Sequence, residues 1–245
     1  MAIILNIETS TNVCSALLAD ADRILMERVC HEPQNHARLL PVFLQEIITF
    51  ARENGAMPQA VAVSAGPGSY TGLRIGVSSA KGVCYALNIP LIAIDTLEII
   101  ALQAIKEVDW EAIYCPMIDA RRMEVYTALF DAKLNLISPT EAKIIDQGAF
   151  EDILRERKII FCGDGADKCK GTIQDKNAVF VDNIAPLSRN MMKLAEDKFD
   201  RGDFVDTAYF EPFYLKEFFG TKPKKNILTA DKVINTSKKH YPTTE

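Results

Sequence analysis

Short apolar runs separated by polar turns open the chain and predict strands. Residues 2–8 read as a first strand, residues 12–20 (Asn12-Val13-Cys14-Ser15-Ala16-Leu17-Leu18-Ala19 at their heart) as a second, and residues 23–30 pair back as a third across Asp20-Ala21-Asp22. Glu8-Thr9-Ser10-Thr11 is the first hairpin turn of this meander. The period then changes. Leu40, Phe43, Leu44, Ile47, Ile48 and Ala51 recur at three- and four-residue spacing, which predicts a helix over 36–53 with one apolar face. Asn35 stands where an N-cap is expected, and Gly55 just past the end. Pro41, which has no N–H for the Ala37 carbonyl, is expected to kink the first turns. Strand 60–64, helix 72–87 and strand 90–95 follow, an order that predicts a right-handed crossover and parallel pairing. Helix 96–107 leads to a second half. There, strands 112–119 and 123–131 form a hairpin across Ala120-Arg121-Arg122, followed by helix 147–156, strand 158–162, the turn Gly163-Asp164-Gly165-Ala166, strand 178–181 and helix 188–201.

This pattern reads as α/β with two lobes, each opening on antiparallel strands. The first spans residues 1–106, with helix 188–201 expected to pack back on it; the second spans 107–216; residues 217–245 form a basic tail. No internal repeat is visible in the sequence itself. A length of 245 residues with 48% hydrophobic content suits one large domain or two ordinary ones. No run reaches the roughly 18–20 apolar residues of a membrane-spanning helix. The first residues lack the basic stretch and cleavage site of a signal peptide, so a cytoplasmic protein is expected.

Charge and cysteine usage narrow the chemistry. The net charge is −5, but from Lys216 onward seven lysines face three acids, leaving about −9 on the preceding residues. So acidic a body is a poor primary surface for nucleic acid, whose phosphates need Lys and Arg. The tail, with Lys222, Lys224, Lys225, Lys238 and Lys239, is either a solvated terminus or a contact for nucleic acid or an acidic partner. Cys14, Cys30, Cys84, Cys115, Cys162 and Cys169 form no C-x-x-C, and most sit in apolar runs, as reduced buried thiols do. The three histidines, His31, His36 and His240, build no zinc-type cluster.

Three polar turns at strand ends carry the candidate chemistry. Gly66-Pro67-Gly68-Ser69-Tyr70-Thr71-Gly72-Leu73-Arg74-Ile75-Gly76 joins a strand end to a helix start, where free N–H groups attract anions. Its spacing matches neither the dinucleotide fingerprint nor the P-loop, so a tight structural turn is an equal reading. Glu8, Thr9, Ser10 and Thr11 offer a carboxylate and three hydroxyls, suited to a phosphate and a hydrated metal or to an ordinary hairpin. Gly163 and Gly165 flank the third turn, and Asp119-Ala120-Arg121-Arg122 is a further charged one. Together Glu8, Thr9, Ser10, Gly66, Gly68, Ser69, Gly163 and Gly165 mark a candidate nucleotide or anion cleft between the lobes.

A set of motifs in order carries a resemblance. Ile4-Leu5-Asn6-Ile7-Glu8-Thr9-Ser10-Thr11, His36-Ala37-Arg38-Leu39-Leu40-Pro41, Gly66 through Gly76 with Ala80-Lys81-Gly82, Ile118-Asp119-Ala120-Arg121-Arg122 with Glu124-Val125-Tyr126, and Glu211-Pro212-Phe213-Tyr214-Leu215-Lys216 resemble the TsaB (YeaZ) family over roughly residues 1–216. Glu8 stands where Asp is usual and Met123 where a turn glycine is usual. The resemblance implies the actin/sugar-kinase/Hsp70 fold and a role in threonylcarbamoyladenosine modification of tRNA next to the anticodon. It implies a non-catalytic scaffold that stabilises a homologous catalytic partner, TsaD, alongside the ATPase TsaE. Transfer RNA would be met through that complex, and no membrane is involved.

TsaD-like chains carry His-x-Glu-x-His after the strand corresponding to 90–95. Here the residues are Thr96-Leu97-Glu98-Ile99-Ile100, and Ile ligates no metal. The resemblance therefore implies no catalytic residue, no bound metal and no tightly held cofactor, with ATP or ADP and magnesium belonging to the assembled complex. The alternatives are a nucleotide-hydrolysing or kinase-like enzyme built on Glu8, Thr9 and the glycine turns, or an M22-type glycoprotease. Members of the family pair through their first two helices, with themselves or with TsaD. Here Gly72, Gly76 and Ala80 share one helix face and His36, Leu40, Phe43, Leu44 and Ile47 line the neighbouring helix, which marks these eight as the expected partner interface.

Overall fold

The computed structural model describes residues 2–216. Its elements are β1 (Ile3–Glu8), β2 (Cys14–Asp20), β3 (Arg23–Cys30), α1 (His36–Glu53), β4 (Ala60–Gly66), α2 (Tyr70–Leu87), β5 (Leu91–Asp95), α3 (Thr96–Val108), β6 (Ile113–Asp119), β7 (Glu124–Phe130), β8 (Leu136–Ile144), α4 (Glu151–Leu154), β9 (Ile159–Cys162), β10 (Ala178–Val181) and α5 (Met192–Asp200). Two five-stranded sheets result, ordered β3-β2-β1-β4-β5 and β10-β9-β6-β7-β8. Read from the other edge, the second sheet repeats the first. In each, the first strand pairs antiparallel with the second and parallel with the fourth, and the fifth adds parallel to the fourth. This duplication is the two-lobed actin-like α/β fold. It is a repeat of backbone topology with no matching repeat of residues, which is why the sequence does not display it.

Each sheet is covered on both faces. Leu5, Ile7, Ala16 and Leu18 of the first sheet meet Leu40, Phe43, Leu44 and Ile47 of α1 and Val77 and Ala80 of α2. The opposite face carries Ile4, Ala62, Ile92 and Ile94 against Ile99 of α3 and Met191, Leu194 and Ala195 of the α5 segment. Each fully buried aliphatic or aromatic side chain contributes about 1.5–3 kcal/mol. Helix α3 turns its other side, Leu97, Ile100, Ala101 and Ala104, to Tyr114, Ile118, Ala128 and Ile160 of the second sheet. It therefore lies between the two sheets and belongs to both cores.

Local departures from the sequence reading have physical causes. α1 runs unbroken through Pro41, one missing backbone bond being small beside its buried face. Asn35 occupies the N-cap position, but its side chain bonds Glu32 and Arg38 and caps nothing. α2 begins at Tyr70, two residues early, because Ser69 caps it by accepting from the Gly72 N–H at 3.2 Å. The expected helix 147–156 shrinks to the four residues of α4, and 188–201 divides into a 3₁₀ turn over Ser188–Met191 followed by α5. β8 escapes the sequence reading because, as an edge strand, it has no continuous apolar face; Leu136 and Ile144 are exposed.

Candidate functional site

A cleft of about 570 Å³ opens between the lobes. Ser10, Thr11, Asn12, Gly68, Ser69, Tyr70 and Thr71 line it from the first lobe and Ile118 to Arg121, Tyr126 and Asp164 from the second. Each lobe builds its wall alike. The loop after the fourth strand of the sheet leans on the end of the first strand, and a hydrogen bond ties the two: Ser69 N–H to Ser10 O at 2.6 Å in the first lobe, Gly165 N–H to Met117 O at 3.0 Å in the second. Glycine makes that approach possible. A Cβ at Gly68 would collide with the Ser10 carbonyl, one at Gly72 with the Thr9 carbonyl and one at Gly76 with the Thr9 hydroxyl. In the second lobe, a Cβ at Gly163 would strike the Met117 carbonyl and one at Gly165 would come within 2.8 Å of the Ile118 carbonyl carbon.

This packing decides what the first hairpin turn can offer. Thr9 and Ser10 are fully buried. Thr9 Oγ1 donates to the Gly72 carbonyl at 2.9 Å, and Thr9 N–H to Ser64 Oγ at 3.4 Å. The N–H and hydroxyl of Ser10 both donate to Glu8 Oε1, each at 2.5 Å. The donors of Thr9 and Ser10 are thus engaged, while Thr11, the third hydroxyl, lines the cleft. Glu8 is wholly buried, and burial raises its carboxyl above the ordinary value against the opposing Ser10 bonds. It lies behind the cleft wall, outside the lining, as do Thr9, Gly66, Gly163 and Gly165; only Ser10, Gly68 and Ser69 of the predicted anion set reach the cleft. Gly66 has a Phe213 carbonyl 2.7 Å from where its Cβ would lie.

The second lobe presents a different turn. Asp119 and Arg121 are exposed. Asp119 pairs with Lys168, whose Nζ also donates to the Glu124 carbonyl at 2.7 Å, and the Asp119 N–H donates to Asp164 Oδ1 at 3.1 Å. Arg121 lines the cleft and makes no ion pair among the described residues. Its backbone, with φ of 70°, and that of Arg122, at 52°, are left-handed; this is how the hairpin closes with Met123 in place of a glycine.

Residues 205–216 form a strap that the sequence shows only as a motif without a role. Val205 N–H bonds the Leu91 carbonyl at 2.9 Å, Lys81 Nζ holds the carbonyls of Ala208 and Phe210 at 2.9 and 3.1 Å, and Phe213 N–H bonds Ala65 O at 2.7 Å. The strap then enters the cleft. Tyr214 packs on Tyr70 with ring centroids 4.6 Å apart, and Lys216 pairs with Glu124 of β7. Phe213 through Lys216 complete the lining.

The expected partner residues lie within the fold. His36, Leu40, Phe43, Leu44, Ile47, Gly72, Gly76 and Ala80 all lie inside. The aliphatic ones fill the core under α1 and α2, the two glycines admit the Thr9 turn, and His36 Nε2 donates to the Val13 carbonyl at 3.2 Å. The outward face of the two packed helices is made by the residues between them, among them Arg38, Val42, Arg74, Ser78 and Tyr85, the last 88% exposed. Thr96 and Ile100, at the positions of the absent histidines, are buried. Among the described residues no group of three or more His, Cys, Asp or Glu could hold a metal ion, and no helix is long and apolar enough to cross a membrane. The basic-tail lysines beyond 216 lie outside the described residues.

Comparison with known proteins places this architecture. Residues 30–187 match the family model described as TsaD: tRNA N6-adenosine threonylcarbamoyltransferase. The tRNA threonylcarbamoyladenosine biosynthesis protein TsaB of Bacillus subtilis is 31% identical over 182 residues, 70% of this chain and 75% of that protein. The Escherichia coli protein of the same name is 29% identical over 220 residues, 87% and 94% of the two chains. A crystal structure of an uncharacterized Pseudomonas aeruginosa protein with similarity to peptidase YeaZ superposes with a TM-score of 0.76 at 26% identity, covering 88% of this chain and all of that one.

Proposed function

Because the chain belongs to the TsaB (YeaZ) family, we propose that it serves tRNA threonylcarbamoyladenosine biosynthesis as a non-catalytic subunit that binds and stabilises a TsaD homologue. One observation carries the non-catalytic part: in the β1–β2 turn, the candidate phosphate site, the hydroxyls of Thr9 and Ser10 are engaged by Gly72 and Glu8, and the carboxylate is buried behind the wall. A phosphate brought there would have to break those bonds and expose Glu8. The partner surface is the outer face of α1 and α2, with Val42 and Tyr85 as its exposed apolar points. The same face serves a homodimer when the protein is alone, and TsaE and tRNA join through the complex.

The test is co-purification with the TsaD homologue of the same cell, followed by tRNA modification assays with and without this chain. Retained binding and a modification rate that depends on the chain are expected. Tyr85→Asp should weaken the complex while leaving the fold intact by circular dichroism; unchanged affinity would move the interface elsewhere.

The open cleft, with Arg121 and the Tyr70–Tyr214 pair in its walls, favours a second reading as a nucleotide-binding enzyme. Titration calorimetry of ATP with magnesium into the pure protein separates the two: no heat of binding supports the subunit reading, and saturable binding with hydrolysis supports the enzyme.

A further inference from the structure

Two of the six free cysteines stand directly opposite each other. Cys14 opens β2, and Cys30, its register partner, closes β3. Opposed residues of an antiparallel ladder have Cα atoms about 4.5–5.5 Å apart, inside the roughly 4.4–6.8 Å that a disulfide spans. Side chains of such a pair leave the sheet on the same face. Here that face looks toward α1, and both sulfurs join the core around Leu40 and Phe43. No other two cysteines are register partners on paired strands among the described residues. Cys115 and Cys162 sit on neighbouring strands but on opposite faces of the second sheet, one in the core with Phe150 and the other in the core with α3.

The two members of the pair differ in access. Cys14 is fully buried, whereas Cys30 is half-buried on the edge strand, its thiol directed at the Glu32 carbonyl 3.9 Å away. Burial pushes the Cys14 thiol up to about 12, so it is a poor first nucleophile. The pair also holds a strategic place. Residues 31–35 lead from Cys30 directly into α1, and His36 at the head of that helix is hydrogen-bonded to Val13, the residue before Cys14.

We propose that Cys14 and Cys30 are a redox pair, which hydrogen peroxide converts into a reversible disulfide locking the end of β3 and the entry to α1 onto β2. The Cys30 sulfur attacks the peroxide; an S–O bond forms, the O–O bond breaks, and one water leaves, giving a sulfenic acid. The Cys14 sulfur then attacks that sulfur; the S–S bond forms, the S–O bond breaks, and hydroxide departs as water with the Cys14 proton. Two thiols lose two electrons and one peroxide becomes two waters. A dithiol reverses the step by exchange, entering at the exposed edge. The pair stands on β2–β3 geometry alone and is independent of the partner reading.

The experiment uses the full chain. After treatment with hydrogen peroxide and blocking of free thiols, trypsin separates the two cysteines into Met1–Arg23 and Val29–Arg38. The expected result is a cross-linked pair of these peptides two hydrogens lighter than their sum, restored to free thiols by dithiothreitol. Cys30→Ser should abolish it and leave Cys14 unoxidised. Cys14→Ala should leave a Cys30 sulfenic acid that dimedone traps. The proposal is overturned if both thiols stay free, if Cys30 passes to sulfinic acid with Cys14 still reduced in the wild-type chain, or if Cys14 oxidises at an unchanged rate in Cys30→Ser. Cys30→Ser is a near-isosteric change at a half-buried edge position, so it decides the matter even if Cys14→Ala fails to fold.

Discussion

The two lobes wind five strands in the same order and lean the same kind of loop on the same strand end, yet their hairpin turns face opposite fates. In the first lobe Thr9 and Ser10 are fully buried, and Gly68, Gly72 and Gly76 let α2 close over them. In the second, Asp119 and Arg121 remain exposed at the cleft, with Asp119 held by Lys168 and Asp164. Identical topology therefore does not make equivalent chemistry. What separates the turns is where their donors point, and the absence of a Cβ at three positions of one loop and helix sets that in the first lobe.

The largest effect should come from opening the sealed turn. Alanine at Gly72 would gain about 1 kcal/mol of helix propensity, but its Cβ collides with the Thr9 carbonyl. The collision is with backbone and cannot relax by rotation, so Gly72→Ala should destabilise the protein by about 3 kcal/mol or more in urea unfolding. Gly76→Leu should fail to fold as well, because a leucine there meets the buried Thr9 side chain, so it reports on the core and not on a partner. A neutral Gly72→Ala would show that the turn is less closed than described.

Next is Glu8. Burial raises its folded value above the unfolded 4.5, so the folded chain holds this proton at pH values where the unfolded chain has lost it. Stability contributed by the neutral form is present at low pH and falls as pH rises from about 4.5 through the folded value. Glu8→Gln, which mimics the neutral carboxyl, should flatten that fall, so that urea midpoints at about pH 5 and about pH 8 converge relative to wild type. An unchanged slope would mean that Glu8 is ionised in the fold. In the second lobe burial likewise raises the Asp164 carboxyl, but the turn itself is held by an ion pair.

There the contribution is small. The Asp119–Lys168 pair is partly exposed, and Lys168→Met should cost about 1 kcal/mol or less and lose even that at high salt. The smallest effect is a control on the same helix as the seal. At Gly82 nothing lies within 4 Å of where a Cβ would stand, so Gly82→Ala should stabilise by up to about 1 kcal/mol. Gly72 and Gly82 thus predict opposite signs for one substitution.

The sequence made some of this legible and hid the rest. The amphipathic spacing of Leu40, Phe43, Leu44 and Ile47 marks α1 because burial and helical period leave the same trace. The Gly66–Gly76 stretch marks a strand-to-helix turn for the same kind of reason. What it accommodates is not readable from it: a glycine that admits a ligand and a glycine that admits a neighbouring carbonyl look identical in one dimension. The apolar positions of α1 and α2 likewise do not say whether they face a sheet or another protein. β8 left no signal because its less exposed positions are Ser138, Thr140, Ala142 and Lys143, which form no apolar stripe. The strap was visible as Glu211–Lys216, but its path over Gly66 and into the cleft depends on contacts with residues more than a hundred positions away.

One feature of the architecture reaches beyond the cleft. Helix α3 gives Ile99 to the first sheet and Leu97, Ile100, Ala101 and Ala104 to the second, so neither lobe owns it. Melting either sheet strips one side of α3, and a helix of 13 residues does not persist on its remaining contacts alone. The two lobes should therefore melt as one cooperative unit, with a single calorimetric peak whose van't Hoff and calorimetric enthalpies agree. A fragment ending near residue 106 would carry a bare apolar stripe and aggregate, so evolution could alter either lobe's turns freely but could not separate the lobes without rebuilding the helix they share.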